Sequence, residues 1–355
     1  MTTFFRRGAA VRPAIALSLL IALAAPALAD RVLTDQLGRE VTLPDTISRA
    51  VVLQHHSLDT VVQLDAQDQV VGVLQNWERR LGKGFARLAP ELADLSTPGD
   101  LTEVNLEELL ALDPDVVIVT HYAPQDMTDQ IADTGIPIVY IGFVDIPESE
   151  RGKRDPVLSD EKAAYTDGLL GAVTLIGEIF GKQDNAAALN SEIMKNRAII
   201  EARTANLPDD QRTTIYMANP DMNTYGAGKY TGAVMELAGG LNVAREVQGY
   251  FKVEMEQVLV WAPEMIVVQD RYPEVMDQIR NDLAWATIPA VETGRIFMTP
   301  EYVKPWGHPT PESVALGELW MGKALHPDLF TDIDLDALVQ DYYRKFYRTD
   351  YIPAE

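Results

Sequence analysis

The chain has 355 residues, no cysteine, 47% hydrophobic residues and a formal charge of −23. The missing cysteines exclude disulfides, thiolate catalysis and cysteine-held metals together. The charge excludes nucleic acid or an anionic membrane as a partner drawn in by the general field of the protein.

Arg6, Arg7 and Arg12 precede an apolar run from Ala14 to Ala25, and Ala27-Leu28-Ala29 offers the small-x-small pattern of signal peptidase. The run is shorter than the roughly 20 residues that span a bilayer. Residues 1–29 therefore read as a cleaved export signal, with the mature chain starting at Asp30. The arginine pair admits a twin-arginine route, although the rest of that signal is poor. With no cysteine there is no lipid tether, so the expected location is the periplasm. The mature 326 residues carry −26 and suffice for two lobes at roughly 100–200 residues each.

From there short apolar runs alternate with amphipathic segments, the pattern of βαβ units and a parallel sheet. Strands are expected at Ala50–Leu53, Val70–Leu74, Val116–Thr120 and Ile138–Phe143, and helices at Asp59–Leu64, Leu106–Leu112 and Asp126–Thr134. Pro114 ends the second helix by pushing Asp113 out of the helical region. The charged stretch Glu148–Asp160, with Gly152 and Pro156, breaks the pattern. A helix over Asp160–Phe180 follows, about 30 Å long at 1.5 Å per residue, then another over Ala186–Thr204. The alternation resumes through Thr214–Ala218, Ala233–Ala238, Gln257–Trp261, Met265–Gln269 and Arg295–Thr299. Amphipathic helices at Pro311–His326 and Leu335–Phe346 close the chain. The fold class is α/β: two similar doubly wound lobes, 30–158 and 183–355, joined by a linking helix in 159–182, with a ligand cleft between them.

Two stretches repeat. Val104–Val119 and Val253–Val268 lie 149 residues apart and share five of sixteen residues, including Glu107/Glu256 and Pro114/Pro263. Each is a helix, a proline stop and a buried strand, with one copy in each lobe.

Ligands of parallel α/β sheets bind beyond the carboxyl ends of the strands. The residues there are His55, His56, Asn76, Trp77, His121, Tyr122 and Phe143 in the first lobe. The second lobe supplies Asn219, Asp270, Arg271, Tyr272 and the segment Tyr302–His308, which contributes Tyr302, Lys304, Trp306 and His308. Adjacent rings at His55 and His56 are expected to diverge. Pro305, Gly307, Pro309 and Pro311 make the last segment a rigid loop of the kind that presents a site. His326 reads as a helix C-cap. Tyr225–Tyr230 lacks the full phosphate-loop pattern, and Gly226 and Gly228 there serve a tight turn before a helix. No G-x-S-x-G, H-E-x-x-H or acid–base carboxylate pair appears, so no enzyme is expected.

On D-Q-L-G-R-E-V-T-L-P (Asp35–Pro44), A-V-V-L (Ala50–Leu53), D-Q-V-V-G-V (Asp68–Val73), Asn105–Ile118 and Tyr225–Ala244, the mature chain resembles the periplasmic substrate-binding proteins of ABC importers for iron complexes and cobalamin. The resemblance implies two lobes on one rigid helix and a monomer without a cofactor, serving a permease and its ATPase. It also implies that Glu107 and Glu256 dock onto permease arginines. The ligand stays open. A ferric complex ranks first, held by Lys304 and Arg271 with Trp77, Trp306 and Tyr302 against the chelator. Haem would take His55, His121, His308 or Tyr302 as an axial ligand. A transition metal would favour the imidazoles, and a small oxyanion would favour Lys, His and backbone N–H groups. A reading of another class is a periplasmic metalloenzyme or metal-storage protein built on His55, His121 and His308.

Overall fold

The computed structural model describes residues 1–3, 30–82 and 84–353. The expected export signal lies almost wholly outside the described residues.

Two parallel sheets form where the continuous apolar runs predicted them. The first has the order Ser96–Gly99, Val70–Leu74, Ala50–Val52, Val116–Thr120, Ile138–Ile141. The second runs Gly240–Asn242, Thr213–Ala218, Met265–Val268, Ile296–Met298. Strands buried on both faces read as unbroken apolar runs, and Val116–Thr120 and Met265–Val268 are buried throughout. In each sheet the first strand is interior and the chain departs to both sides of it, creating the switch point beside which α/β ligands bind. The polar strands Ser96–Gly99 and Asn223–Tyr225, and the alternating hairpin Asp30–Thr34/Glu40–Pro44, were not expected. They lack an apolar run because they sit at edges or outside the main sheets.

The repeat is structural as well as sequential. Helices Leu106–Ala111 and Met255–Trp261 each end in a left-handed residue, Asp113 at φ 45° and Ala262 at φ 44°. A buried proline follows each. The next carboxylate then reaches back to the first strand of its own sheet. Asp115 Oδ2 accepts from Ser48 and Arg49 N–H at 2.8 and 2.9 Å, and Glu264 Oε2 accepts from Thr214 N–H at 2.9 Å.

The linking helix spans Glu161–Ile179, with Asp160 as N-cap accepting from Ala163 N–H at 3.0 Å. Gly168 lets it cross the first lobe closely, since a Cβ there would lie 2.1 Å from Val144 Cα. The second long helix, Gln183–Thr204, begins three residues earlier than expected and packs against the first. The last helical stretch, Leu335–Tyr342 continued through Tyr347, returns to helix His55–Gln63 of the first sheet. There Tyr342 donates to Gln63 Oε1 at 2.6 Å and Tyr347 to Asp59 Oδ1 at 2.7 Å.

Candidate functional site

Strand Ala50–Val52 runs into Gln54, the N-cap of helix His55–Gln63, so two histidines occupy the first helical positions. The first helical acceptance is Leu58 N–H to Gln54 O at 3.0 Å, which leaves the N–H groups of His55, His56 and Ser57 without an intrahelical acceptor. The two rings do not diverge as expected. Their centroids are 4.1 Å apart, and each lies 5.6 Å from Trp306. At a helix start, both side chains lean back over the entering turn.

Opposite them stands the Pro-rich loop. Tyr230 N–H donates to Gly307 O at 3.1 Å and Thr231 Oγ1 to Trp306 O at 2.7 Å, tying the loop to the start of helix Tyr230–Leu237. His308 is thereby held 5.8 Å from His56 and 5.4 Å from His121, ring to ring, with Tyr122 stacked at 6.2 Å. Four of the five histidines form one cluster. Among the described residues nothing partners His55 Nδ1, His56 Nε2, His121 Nδ1, His308 Nε2 or the Trp306 indole nitrogen, all buried. His121 Nε2 donates to Lys153 O at 3.2 Å, which fixes that ring's tautomer.

Burial keeps these rings neutral. It pulls His56 down to about 3, with Lys304 and Arg271 adding to the effect, and His121 down to about 4. His55 and His308 are lowered well below the ordinary value by burial first, then by neighbouring rings and the cations Arg80, Arg271, Lys229 and Arg154.

Arg271 completes the floor. Its guanidinium lies 4.6 Å over Trp306 and 5.1 Å over Tyr272, and donates to Arg80 O at 3.1 Å. Its Nε donates to Gln269 Oε1 at 2.7 Å, and Gln269 donates to Asn219 Oδ1 at 2.5 Å. Asn219 thus aligns Arg271 through Gln269, and its amide is spent within the lobe.

Three expected ligand contacts require correction. Lys304 is turned into the protein, where its ammonium is shared by Asp59 Oδ2 at 3.1 Å and by Glu312 Oε1. It sits at φ 36°, a left-handed backbone that reverses the chain and sends the side chain behind the site. Trp77 packs in the core against Phe85 at 6.1 Å. Tyr302 meets Tyr351 at 5.5 Å and borders the cavity that adjoins the site at Arg271, away from the histidine cluster. His326 is the C-cap of helix Glu318–Leu325, as expected, its N–H donating to Gly322 O at 2.8 Å, while its Nε2 donates to Gly239 O at 2.9 Å.

Behind the histidines, Lys304, Asp59 and Glu312 form a buried ionic cluster. Burial and the Glu312 carboxylate raise Asp59 to about 8. Burial pushes Glu312 up, but the Lys304 ammonium together with hydrogen bonds from Asp59, Lys304 and the backbone outweighs it and holds Glu312 below its ordinary value. The pair carries one proton, on Asp59. A cavity of about 1290 Å³ adjoins the site at Arg271 and is walled by Glu78, Asp270, Glu274, Glu301 and Asp336 against Arg79 and Arg271. Among the described residues no three His, Asp or Glu side chains are grouped to hold a metal ion.

The family described as periplasmic binding protein matches residues 51–303. This chain belongs to the periplasmic binding protein family. The molybdate-binding protein MolA of Haemophilus influenzae is 53% identical over 336 residues, covering 94% of this chain and 96% of MolA. The structure of MolA bound to molybdate superposes with a TM-score of 0.90 at 52% identity, covering 92% of this chain and all of that one (100%). A cobalamin-binding protein of Halobacterium salinarum is 25% identical over 289 residues, 76% of this chain and 70% of that protein. A periplasmic solute-binding protein of Veillonella parvula, at 24% identity and TM-score 0.73 over 91% of this chain and 94% of that one, shares the fold.

In this periplasmic binding protein, Trp306 and His308 lie just beyond the matched segment, while His55, His56, His121 and Arg271 lie within it. Sequence reasoning missed Lys229 and Tyr165. Lys229 donates to Arg154 O at 3.0 Å and pairs with Asp155, and a Cβ at Gly307 would lie 3.6 Å from its Cδ. Tyr165, on the linking helix, faces His308 at 6.0 Å and donates to Gly228 O at 2.8 Å. The signal for Lys229 lay in Tyr225–Tyr230, once the helix was seen to start at Tyr230. Tyr165 carried none beyond its place on a helix.

Proposed function

We propose that the chain captures a molybdate-type tetrahedral oxyanion between its lobes, 30–158 and 183–355, and delivers it to the permease and ATPase of an ABC importer. The observation that carries this is the clustering of four buried imidazoles, each with an unpartnered nitrogen and each 4.1–5.8 Å, ring to ring, from a neighbour. A tetrahedral oxyanion is all acceptor, so it suits a ring of N–H donors. The indole N–H of Trp306 and the free N–H groups at the start of helix His55–Gln63 add donors and positive potential. Arg271 supplies a formal positive charge. His121 has given its Nε2–H to Lys153, so it donates from Nδ1 only as imidazolium, and anion binding draws a proton onto it. The 53% identity to a protein named for molybdate binding supports the same ligand.

The ferric-complex reading that ranked first gives way on charge. The space large enough for a chelate is walled by five carboxylates against two guanidinium groups, which repels an anionic ferric complex. Glu107 and Glu256, both exposed, are the points where permease arginines pair with the carboxylates.

Titration calorimetry of the mature protein with sodium molybdate, sodium tungstate, ferric citrate and a ferric catecholate tests the ligand. One saturable site for molybdate and tungstate is expected. Silence from both oxyanions with binding of a ferric complex overturns the proposal. Replacing Glu107 and Glu256 together by Ala is expected to abolish uptake with molybdate affinity unchanged; loss of both would remove the docking role.

A further inference from the structure

Away from the cleft, the two repeated helices expose the same pair of side chains. On Leu106–Ala111, Glu107 is exposed and Leu110, one turn on, is 49% exposed. On Met255–Trp261, Glu256 is exposed, Leu259 is 41% exposed and Val260 follows at 78%. Leu109 and Val258, the residues just before the leucines, are fully buried and fix each helix about its own axis. The i, i+3 spacing then sets each glutamate beside its leucine on the outer surface.

A single exposed leucine needs no explanation. The same exposed leucine at the same position of both lobes, beside the same glutamate, is different. The neighbouring pairs have diverged freely: Ala111 answers Val260, Leu112 answers Trp261 and Asp113 answers Ala262. Packing inside the lobe does not require leucine at a position half open to water.

We infer that Leu110 and Leu259 are apolar anchors of the permease-docking surface, each entering an apolar recess beside the cation that receives the neighbouring glutamate. This rests on the docking reading given above for Glu107 and Glu256. The occupant is a membrane permease with two equivalent faces, because two equivalent anchors on two similar lobes call for a partner of the same symmetry. The physical role is exclusion of water. An exposed carboxylate–guanidinium pair is screened and weak, whereas a pair ringed by desolvated apolar contacts holds an interface. The leucines convert the first situation into the second.

The test uses the mature protein loaded with sodium molybdate and its permease–ATPase complex in lipid nanodiscs. The readout is the binding-protein concentration giving half-maximal stimulation of ATP hydrolysis. Leu110→Asn with Leu259→Asn is expected to raise that concentration at least about tenfold, with molybdate affinity and melting temperature unchanged. Leu110→Met with Leu259→Met is expected to restore it. An unchanged value for the asparagine variant, when Glu107→Ala with Glu256→Ala raises it, overturns the leucine assignment and leaves the docking reading standing. Unchanged values for both pairs overturn the docking reading, and the leucine assignment with it.

Discussion

Lys304 Nζ lies 3.1 Å from Asp59 Oδ2, joining residues 245 apart in sequence and binding the His308 loop to the helix that begins at His55. Asp59 sits one turn below His55 and His56, and Lys304 four residues before His308, so this charge-assisted hydrogen bond sets the spacing of the histidines without meeting a ligand. Lys304→Met leaves two carboxyl groups buried with no cation. Breaking a buried ion pair is expected to cost about 3–5 kcal/mol, read from denaturant midpoints. Molybdate affinity is expected to fall with it, and Lys304→Met with Glu312→Gln to recover part of the loss, since Glu312 is the ionised carboxylate of the cluster. A stability unchanged within experimental error in the single variant would contradict the role assigned to the pair.

The histidines are expected to separate from the cluster behind them. His308→Ala and His56→Ala each remove a donor to the anion, and a hydrogen bond to a charged group contributes about 1.5–3 kcal/mol. Molybdate affinity should drop roughly tenfold or more in calorimetry, while the melting temperature moves little. Equal loss of stability and affinity would reassign these rings to packing.

The pH dependence of the ligand-free protein has a defined sign. His55, His56, His121 and His308 are all lowered in the fold, with His56 at about 3 and His121 at about 4. Between roughly pH 4 and 6.5 the unfolded chain holds protons on these rings that the native chain does not, so stability rises with pH there. Asp59, raised to about 8, acts in the opposite direction: the native state keeps its proton and the unfolded chain does not. The four rings supply the rise below pH 6.5; Asp59, joined by Glu161, Asp270, Glu301 and Glu318, which burial also raises, supplies the fall, and stability declines toward pH 8. Thermal melts across this range are expected to peak near neutrality. Saturating molybdate should flatten the acid limb, because the anion favours the protonated rings.

Gly168 is expected to tolerate no side chain. A Cβ would overlap the backbone of Val144, at 2.1 Å from its Cα, where neither chain can yield cheaply. Gly168→Ala should destabilise by about 1–3 kcal/mol in equilibrium unfolding. Gly181→Asn, at a left-handed position with nothing within 4 Å, should cost far less.

The sequence carried the strands and the long helices because apolar periodicity reports burial directly. It carried the histidine cluster through a topological rule, since His55, His121 and His308 follow strands or the loop beyond the last one. It did not carry the direction of Lys304, because a left-handed φ at a lysine has no local signature, and Asp59 is unremarkable until the fold brings it near. Trp77 misled for a related reason. It stands at a strand end, yet the left-handed Asn76 ahead of it turns the indole inward. The ligand was legible only as a set of alternatives, because neutral imidazoles serve metals and anions alike and only the fold gathers four of them, each with an unpartnered nitrogen, into one cluster.

The tether between Asp115 and the start of the first strand has a mechanical consequence. Arg49, held by Asp115, and His55, at the cleft, are the two ends of one short rod, the strand Ala50–Val52, about 10 Å long at 3.3 Å per residue. Glu264 pins Thr214 at the corresponding end of the strand that leads to Asn219 and the Arg271 support. Each lobe thus joins its outer edge to its cleft side through one short strand tethered at the far end, so that the outside of the lobe and the site residues share a single element.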